Sequence, residues 1–197
     1  WYPGAQGGLA VARALFGEVN PQGKLPVTFY HSDEDRPSFT DYAMKGRTYR
    51  YMEKEALYPF GYGLSYTRFA FKDAALSAQT AGPDGVDLSV TVRNEGSRAG
   101  IETVQVYVKA ERPGTPNAQL KGLAKVDLAP GEERRVTLHL PLEALALCNE
   151  EGVCEVLPGD YTLWVGGSQP DARSITLAGQ APLRLALRQV EKVVMGD

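Results

Sequence analysis

The residues best equipped for chemistry lie in KGRTYRY, positions 45–51. Arg47 and Arg50 offer planar guanidinium forks, and Tyr49 and Tyr51 offer rings with hydroxyl tips, a mixture that suits sugar hydroxyls and carbohydrate faces. These four are the candidates for a substrate rim. The competing reading has the arginines paired with local acids and the tyrosines wedged against a neighbouring domain, and the balance leans that way. A second aromatic stretch, LYPFGYGLSYTRFAF at 57–71, holds six rings and two glycines and has no histidine, cysteine or carboxylate. Tyr58, Phe60, Tyr62 and Tyr66 could form a platform for a sugar. Glycines that let the backbone turn tightly while rings bury large areas favour a joint between domains instead.

No other group invites catalysis. Asp33, Glu34 and Asp35 form a run, Glu132 and Glu133 follow a Pro-Gly, and Glu150 and Glu151 sit between the cysteines; adjacent acids of this kind usually make a solvated surface. Ser65 lacks the G-x-S-x-G elbow of a nucleophilic serine. The glycines of GAQGG precede a helical pattern, but their spacing is not that of a phosphate loop. In RRVTLHLPL, Val136, Leu138 and Leu140 take one strand face, which puts His139 on the solvent side with Thr137 and Arg135. Cys148 and Cys154 bracket a short loop holding Gly152. A bridge is possible if they face one another, but two thiols that never meet are the favoured expectation, and two cysteines alone do not make a four-ligand zinc site. No catalytic residue, metal or cofactor is expected.

Composition sets the frame for these residues. The 197-residue chain is 43% hydrophobic and 23% charged, enough to build a core. A net charge of -3 argues against nucleic acid and anionic membranes as partners, since both need a concentrated basic face. No apolar run reaches membrane-spanning length, and no signal-peptide pattern is present. The opening WYPGAQGG, without Met, is what an excised piece would show.

Two changes of period organise the chain. Gly7–Glu18 carries apolar residues at helical spacing (Leu9, Ala12, Leu15, Phe16), with Gly17 where a helix-ending glycine belongs. Ala10, Val11 and Ala14 leave almost no polar face, so this helix expects cover on several sides. NPQGK then turns the chain into LPVTFY, a short strand candidate. Helix, turn and strand suggest the closing unit of an α/β layered domain whose other layers are missing. Residues 31–67 keep neither period for long and read as a connection with a task. From Phe69 a two-residue alternation takes over. It runs through VDLSVTV, TVQVYV, RVTLHL and YTLWVG, with SITL and LRLAL as weaker strand candidates, separated by turns such as AGPDG and APGEE. This predicts a mainly β chain with an antiparallel sandwich of the immunoglobulin or fibronectin III type.

The ordered series WYPGAQGGLAVARALFGEVNPQGKLPVTFY, GRTYRY, LYPFGYGLSYTRFAF, VTVRNEGSRAGIETVQVYV, LKGLAKVDLAPGE and LPGDYTLWVGGS resembles the C-terminal part of glycoside hydrolase family 3. That family includes β-glucosidases and β-xylosidases. The resemblance implies an α/β-sandwich remnant at 1–30, a connecting segment at 31–67, a fibronectin III-like sandwich at 68–182 and an unmatched extension at 183–197. It also implies that an upstream catalytic barrel and the rest of the α/β sandwich domain, in the same polypeptide, are the chain's partners. The family's nucleophile is an aspartate of the barrel, and its acid/base glutamate usually precedes the segment matching WYPGAQGG; neither is in this sequence. A retaining glycosidase needs two carboxyl groups about 5–5.5 Å apart, and the acids here do not suggest such a pair.

The expectation is therefore a non-catalytic portion that stabilises and positions catalytic domains, in an enzyme removing terminal β-linked sugars and meeting carbohydrate only through the complete protein. A carbohydrate-binding or adhesion module with exposed aromatics is the alternative. Cytoplasmic and exported placements both stay open, because an export signal would lie upstream of Trp1. Without its parent layers, the helix beginning at Gly7 should pack on the sandwich, pair between chains in self-association, or fray.

Overall fold

A computed structural model describes residues 2–149 and 151–195, so the expectation for Glu150 lies outside the described residues. Seven strands form the expected sandwich. β1 (Phe69–Leu76), β2 (Val86–Asn94) and β5 (Glu133–Leu140) make one sheet in the order β1-β2-β5. Facing it, β3 (Gly100–Ala110), β4 (Gln119–Leu128), β8 (Gly159–Gly166) and β9 (Leu183–Gln189) make the other, in the order β4-β3-β8-β9. All pairs within both sheets are antiparallel.

Alternation explains the core. Val86, Leu88, Val90 and Val92 of β2 meet Val104, Val106 and Val108 of β3 and Tyr161, Leu163 and Val165 of β8, all buried. Each such aliphatic side chain contributes about 1.5–3 kcal/mol when taken from water. β3 departs from simple alternation. Thr103, Gln105 and Tyr107, which should face outward, are buried as well. The outer face of this strand is covered by the connecting segment.

Four expectations are corrected. LPVTFY is extended and forms no regular strand: Leu25 and Phe29 exchange backbone hydrogen bonds with Tyr62, Gly61, Tyr58 and Leu57 at 2.7–2.9 Å, but only Phe29 and Tyr58 count as a β-bridge. Pro26 and Pro59 lack the N–H groups a continuous ladder requires. SITL belongs to a helix, here α3 (Ala172–Ala178), because the Asp171 side chain caps it by accepting from Ser174 N at 2.9 Å and Gly179 closes it in the left-handed region. The boundary expected between the sandwich and an extension at 183–197 is the third: LRLAL, a strand candidate, is part of β9, which pairs with β8 from Leu183 to Gln189, so the sheet continues beyond residue 182. Cys148 and Cys154 are bridged, against the expectation of separate thiols. They stand directly opposite each other on β6 (Leu147–Cys148) and β7 (Cys154–Val156), across a turn that Gly152 makes with φ +82°. A third short strand, β10 (Val193–Val194), completes this small sheet.

Ahead of the sandwich, α1 (Gly7–Leu15) is helical as its spacing requires and ends before Gly17, whose φ is +75°. None of its residues is buried, and Leu15 and Phe16 are 74% and 85% exposed. It does not pack on the sandwich, the first of the three outcomes expected for it. α2 (Thr48–Tyr51) is a single turn inside KGRTYRY. Among the described residues no helix is long and apolar enough to cross a membrane.

Candidate functional site: a strapped sheet face

Residues 20–29 and 48–67 lie as a strap across the outer face of β3 and β8, polar side chains fasten it, and residues 31–47 form a loop bonded within the segment. Gln105, 1% exposed, donates from Nε2 to Gly61 O at 3.0 Å and to Gly167 O at 2.8 Å, while its Oε1 accepts the Tyr107 hydroxyl at 2.7 Å. One amide thus ties the aromatic stretch, the end of β8 and a neighbouring phenol together. Burial pushes the Tyr107 phenol well above its ordinary range, so it stays a neutral donor. Gln169 Nε2 donates to Phe60 O at 3.0 Å and Arg173 to Leu57 O at 3.3 Å, extending the fastening to the β8–α3 side. Asn20 holds the far end: it donates to Ala99 O at 3.1 Å and accepts from Ser65 Oγ and Tyr66 N at 3.0 and 2.7 Å.

A largely buried ion pair joins this lattice. Lys24 Nζ lies 2.9 Å from Glu102, with side chains 19% and 10% exposed, and Glu102 also accepts from Thr103 N at 2.7 Å. Desolvation offsets much of the attraction of such a pair, so it fixes position more than it adds stability. Removing one partner would strand a charge.

The rings act as fillers. Tyr49 stacks on Phe60 with centroids 4.1 Å apart and planes 7° from parallel, and meets Tyr107 edge-on at 6.3 Å. Tyr58 and Tyr62 stack on each other at 5.9 Å, and Phe29 meets Tyr58 edge-on. The Tyr66 hydroxyl donates to Ala14 O at 2.6 Å, and Arg98 lies over its ring. Tyr58 and Tyr66 are 43% and 49% exposed, whereas Tyr49, Tyr51, Phe60 and Tyr62 are half-buried. Rings paired face to face with one another do not form one flat exposed platform.

KGRTYRY is placed in the same lattice. Arg47 donates to the carbonyls of Ala43 and Ser38 at 3.0 and 2.9 Å and to that of Asp41, closing its own loop, and Arg50 donates to Gln119 Oε1. The Tyr49 hydroxyl accepts from Leu120 N at 3.2 Å. Asn117 donates from its amide side chain to the carbonyls of Tyr49 and Met52. The structure brings Tyr49 and Phe60 together and ties Arg50 to β4, while Arg47 stays in its local loop and Tyr51 enters no side-chain hydrogen bond among the described residues. The arginines are held by carbonyls and an amide, not by acids. Gln105, Tyr107, Asn20, Gln169 and the Lys24–Glu102 pair escaped sequence reasoning. The only signal was large polar residues at the outward positions of TVQVYV.

The acids sit singly beside donors. Asp35 pairs with Lys54 at 2.8 Å, Asp33 with Arg36 at 3.1 Å and Glu133 with Lys72 at 2.8 Å. Glu132 accepts from Ala129 N at 2.8 Å, and that bond, followed by Arg134, holds its carboxyl below the usual range. His139 is exposed on β5, with Nδ1 2.7 Å from Asp87.

An antiparallel sandwich with one outer face strapped by a preceding segment is, by class, a fibronectin III-like domain with a fused connector. Residues 102–169 match the fibronectin type III-like domain, and residues 1–66 match the glycosyl hydrolase family 3 C-terminal domain. The chain is 43% identical over 175 residues to a xylan 1,4-beta-xylosidase of Xylanibacter ruminicola, an alignment covering 87% of this chain and 20% of that protein. It is 38% identical to a periplasmic beta-glucosidase of Salmonella typhimurium, covering 84% of this chain and 24% of the relative. The solved structure of beta-glucosidase 3B from Thermotoga neapolitana superposes over the whole chain with a TM-score of 0.82 and 32% identity, using 28% of its own length. The chain belongs to glycoside hydrolase family 3 as the family's C-terminal portion. It spans about a fifth to a quarter of the length of these curated relatives.

Proposed function

We propose that this chain is the non-catalytic brace of a glycosidase that removes terminal β-linked sugars, with the strap holding an α/β domain rigidly against the sandwich. The observation that carries this reading is the contrast between the strap and the helix that precedes it. Residues 57–67 are hydrogen-bonded into the outer face of β3 and β8, whereas α1 presents Leu9, Val11, Leu15 and Phe16 to solvent. Exposed apolar residues gathered on one helix mark a surface built to be covered. The rest of an α/β layer in the same polypeptide is the cover this reading assigns. The upstream barrel and its substrate would then meet this chain only across that layer, and self-association through α1 would occur only while the layer is missing. Tyr49 and Arg50 are then struts of the joint, while Arg47 closes its own loop.

The test is thermal inactivation of the complete polypeptide carrying Gln105→Leu with Tyr107→Phe. These substitutions unfasten the strap without touching any catalytic carboxylate. Expected is an inactivation midpoint lowered by several degrees with unchanged KM; an unchanged midpoint would remove the bracing role.

A further inference from the structure

A cleft of about 450 Å³ opens between α2, the following turn and the outer face of β3 and β8. Its size falls within the roughly 300–1,000 Å³ of small-molecule sites. Trp164 lines it from β8, where Leu163 and Val165 on either side point into the core, so alternation turns the indole outward. The lining carries three cations, Lys54, Lys109 and Arg173, and three carboxylates, Glu53, Glu55 and Asp171, so its charge cancels. Lys54 is taken by Asp35, Glu55 lies near His31, Arg173 bonds Leu57 O, and Asp171 caps α3. Lys109 and Glu53 have no ion-pair partner among the described residues. At the strap wall, Thr28 Oγ1 is buried without a hydrogen-bond partner. A buried hydroxyl left unpaired costs about 1–3 kcal/mol, and this one is closed to the cleft.

We propose that this cleft is a saccharide-binding site, with Trp164 taking the face of a neutral sugar and Lys109 and Glu53 taking its hydroxyls. A half-buried indole beside unengaged groups of both signs, in a cleft of no net charge, suits an uncharged polyol. Phosphate or a nucleotide would need an excess of cations. The site shares walls with the strap, since Tyr49, Gln169 and Arg173 line it, and its variants are chosen among residues that fasten nothing. Only the choice of glucan and xylan oligomers as probes rests on the function proposed above.

The chain has two tryptophans, so Trp1→Phe leaves Trp164 as the sole reporter. Titrating that variant with cellotriose and with xylotriose should give a saturable change in emission, with Kd on the order of 1 mM. Calorimetry should show about tenfold weaker binding for Trp164→Ala, the loss of one aromatic contact, and about threefold for Lys109→Met. If Trp164→Ala does not fold, Lys109→Met and Glu53→Gln decide, since both lie at the rim. No saturable response to either sugar up to about 50 mM, far above a millimolar constant, would overturn the site. So would undiminished affinity in the variants that fold, or tighter binding of inorganic phosphate than of sugar. Loss of sugar binding leaves the bracing role untouched, because that role is read from inactivation of the complete polypeptide.

Discussion

At the scale of single residues, Gly61 is the tightest point of the strap. Its φ is +79°, and a Cβ there would lie 2.4 Å from Gln105 Oε1 and 2.6 Å from the Tyr107 hydroxyl. Left-handed strain and a clash with the fastening network act together, so Gly61→Ala should destabilise the chain by about 2–4 kcal/mol in urea melts. A loss below about 0.5 kcal/mol, the usual size of a surface change, would mean that the strap is not seated there. Tyr107→Phe should cost less, about 1–2 kcal/mol, because it leaves one buried acceptor unpaired without displacing backbone. His139 gives a pH signature of known sign. Its hydrogen bond to Asp87 raises its pKa above the ordinary 6.5, with desolvation opposing. A raised folded pKa means that the contribution is complete below the unfolded value and fades as pH rises through the folded one. An NMR titration of His139 should therefore have a midpoint above 6.5 that falls in Asp87→Asn, and that variant should lose stability relative to the parent sequence near pH ~5.5 but not near ~8.5. The solvent side of His139 was legible from alternation. The Asp87 partner was not, because cross-strand register between residues so distant in sequence is set by pairing of whole strands.

At the scale of elements, the strap shows where local pattern stops informing. Periodicity located α1 and most strands because each follows from its own side chains. It missed the second buried face of β3, since Gln105 and Tyr107 look like ordinary outward polar residues until another segment covers them. It mistook SITL for a strand because β-branched residues outweighed the flanking signals, the Asp171 cap and the Gly179 stop. The cysteines were misjudged for a similar reason. Only strand pairing reveals that the turn sets them opposite. That bridge closes a short loop at the edge of the sandwich, so replacing both cysteines by serine should cost only about 2 kcal/mol, checked by urea melts with and without reductant. A loss of cooperative folding would show that the small sheet β6-β7-β10 nucleates the domain. α1 makes the opposite prediction. Leu15→Lys with Phe16→Lys should leave the sandwich's stability within about 0.5 kcal/mol while abolishing any concentration-dependent association of the isolated chain in sedimentation. Persistence of association after these changes would place self-contact elsewhere.

At the scale of the whole molecule, the order of motifs carried more information than any one of them. The sandwich and its class were legible because seven alternating strands with turn punctuation admit few architectures. The fusion of connector and sandwich into one unit was not, because it depends on hydrogen bonds between residues as far apart as Phe60 and Gln169. The joint and the platform readings of the aromatic segment use the same residues, and the stacking of Tyr58 on Tyr62 and of Phe60 on Tyr49, with the Tyr66 hydroxyl on Ala14 O, supports the joint we propose. We propose that this chain supports catalysis without performing it. The most direct measurement is hydrolysis of chromogenic β-glucosides, β-xylosides and β-N-acetylglucosaminides by this chain alone, beside the complete polypeptide. Turnover by the complete polypeptide and none above the buffer rate by this chain is the predicted result. Turnover by this chain that disappears on replacing one of its own acids, such as Glu53 or Glu102, would contradict it.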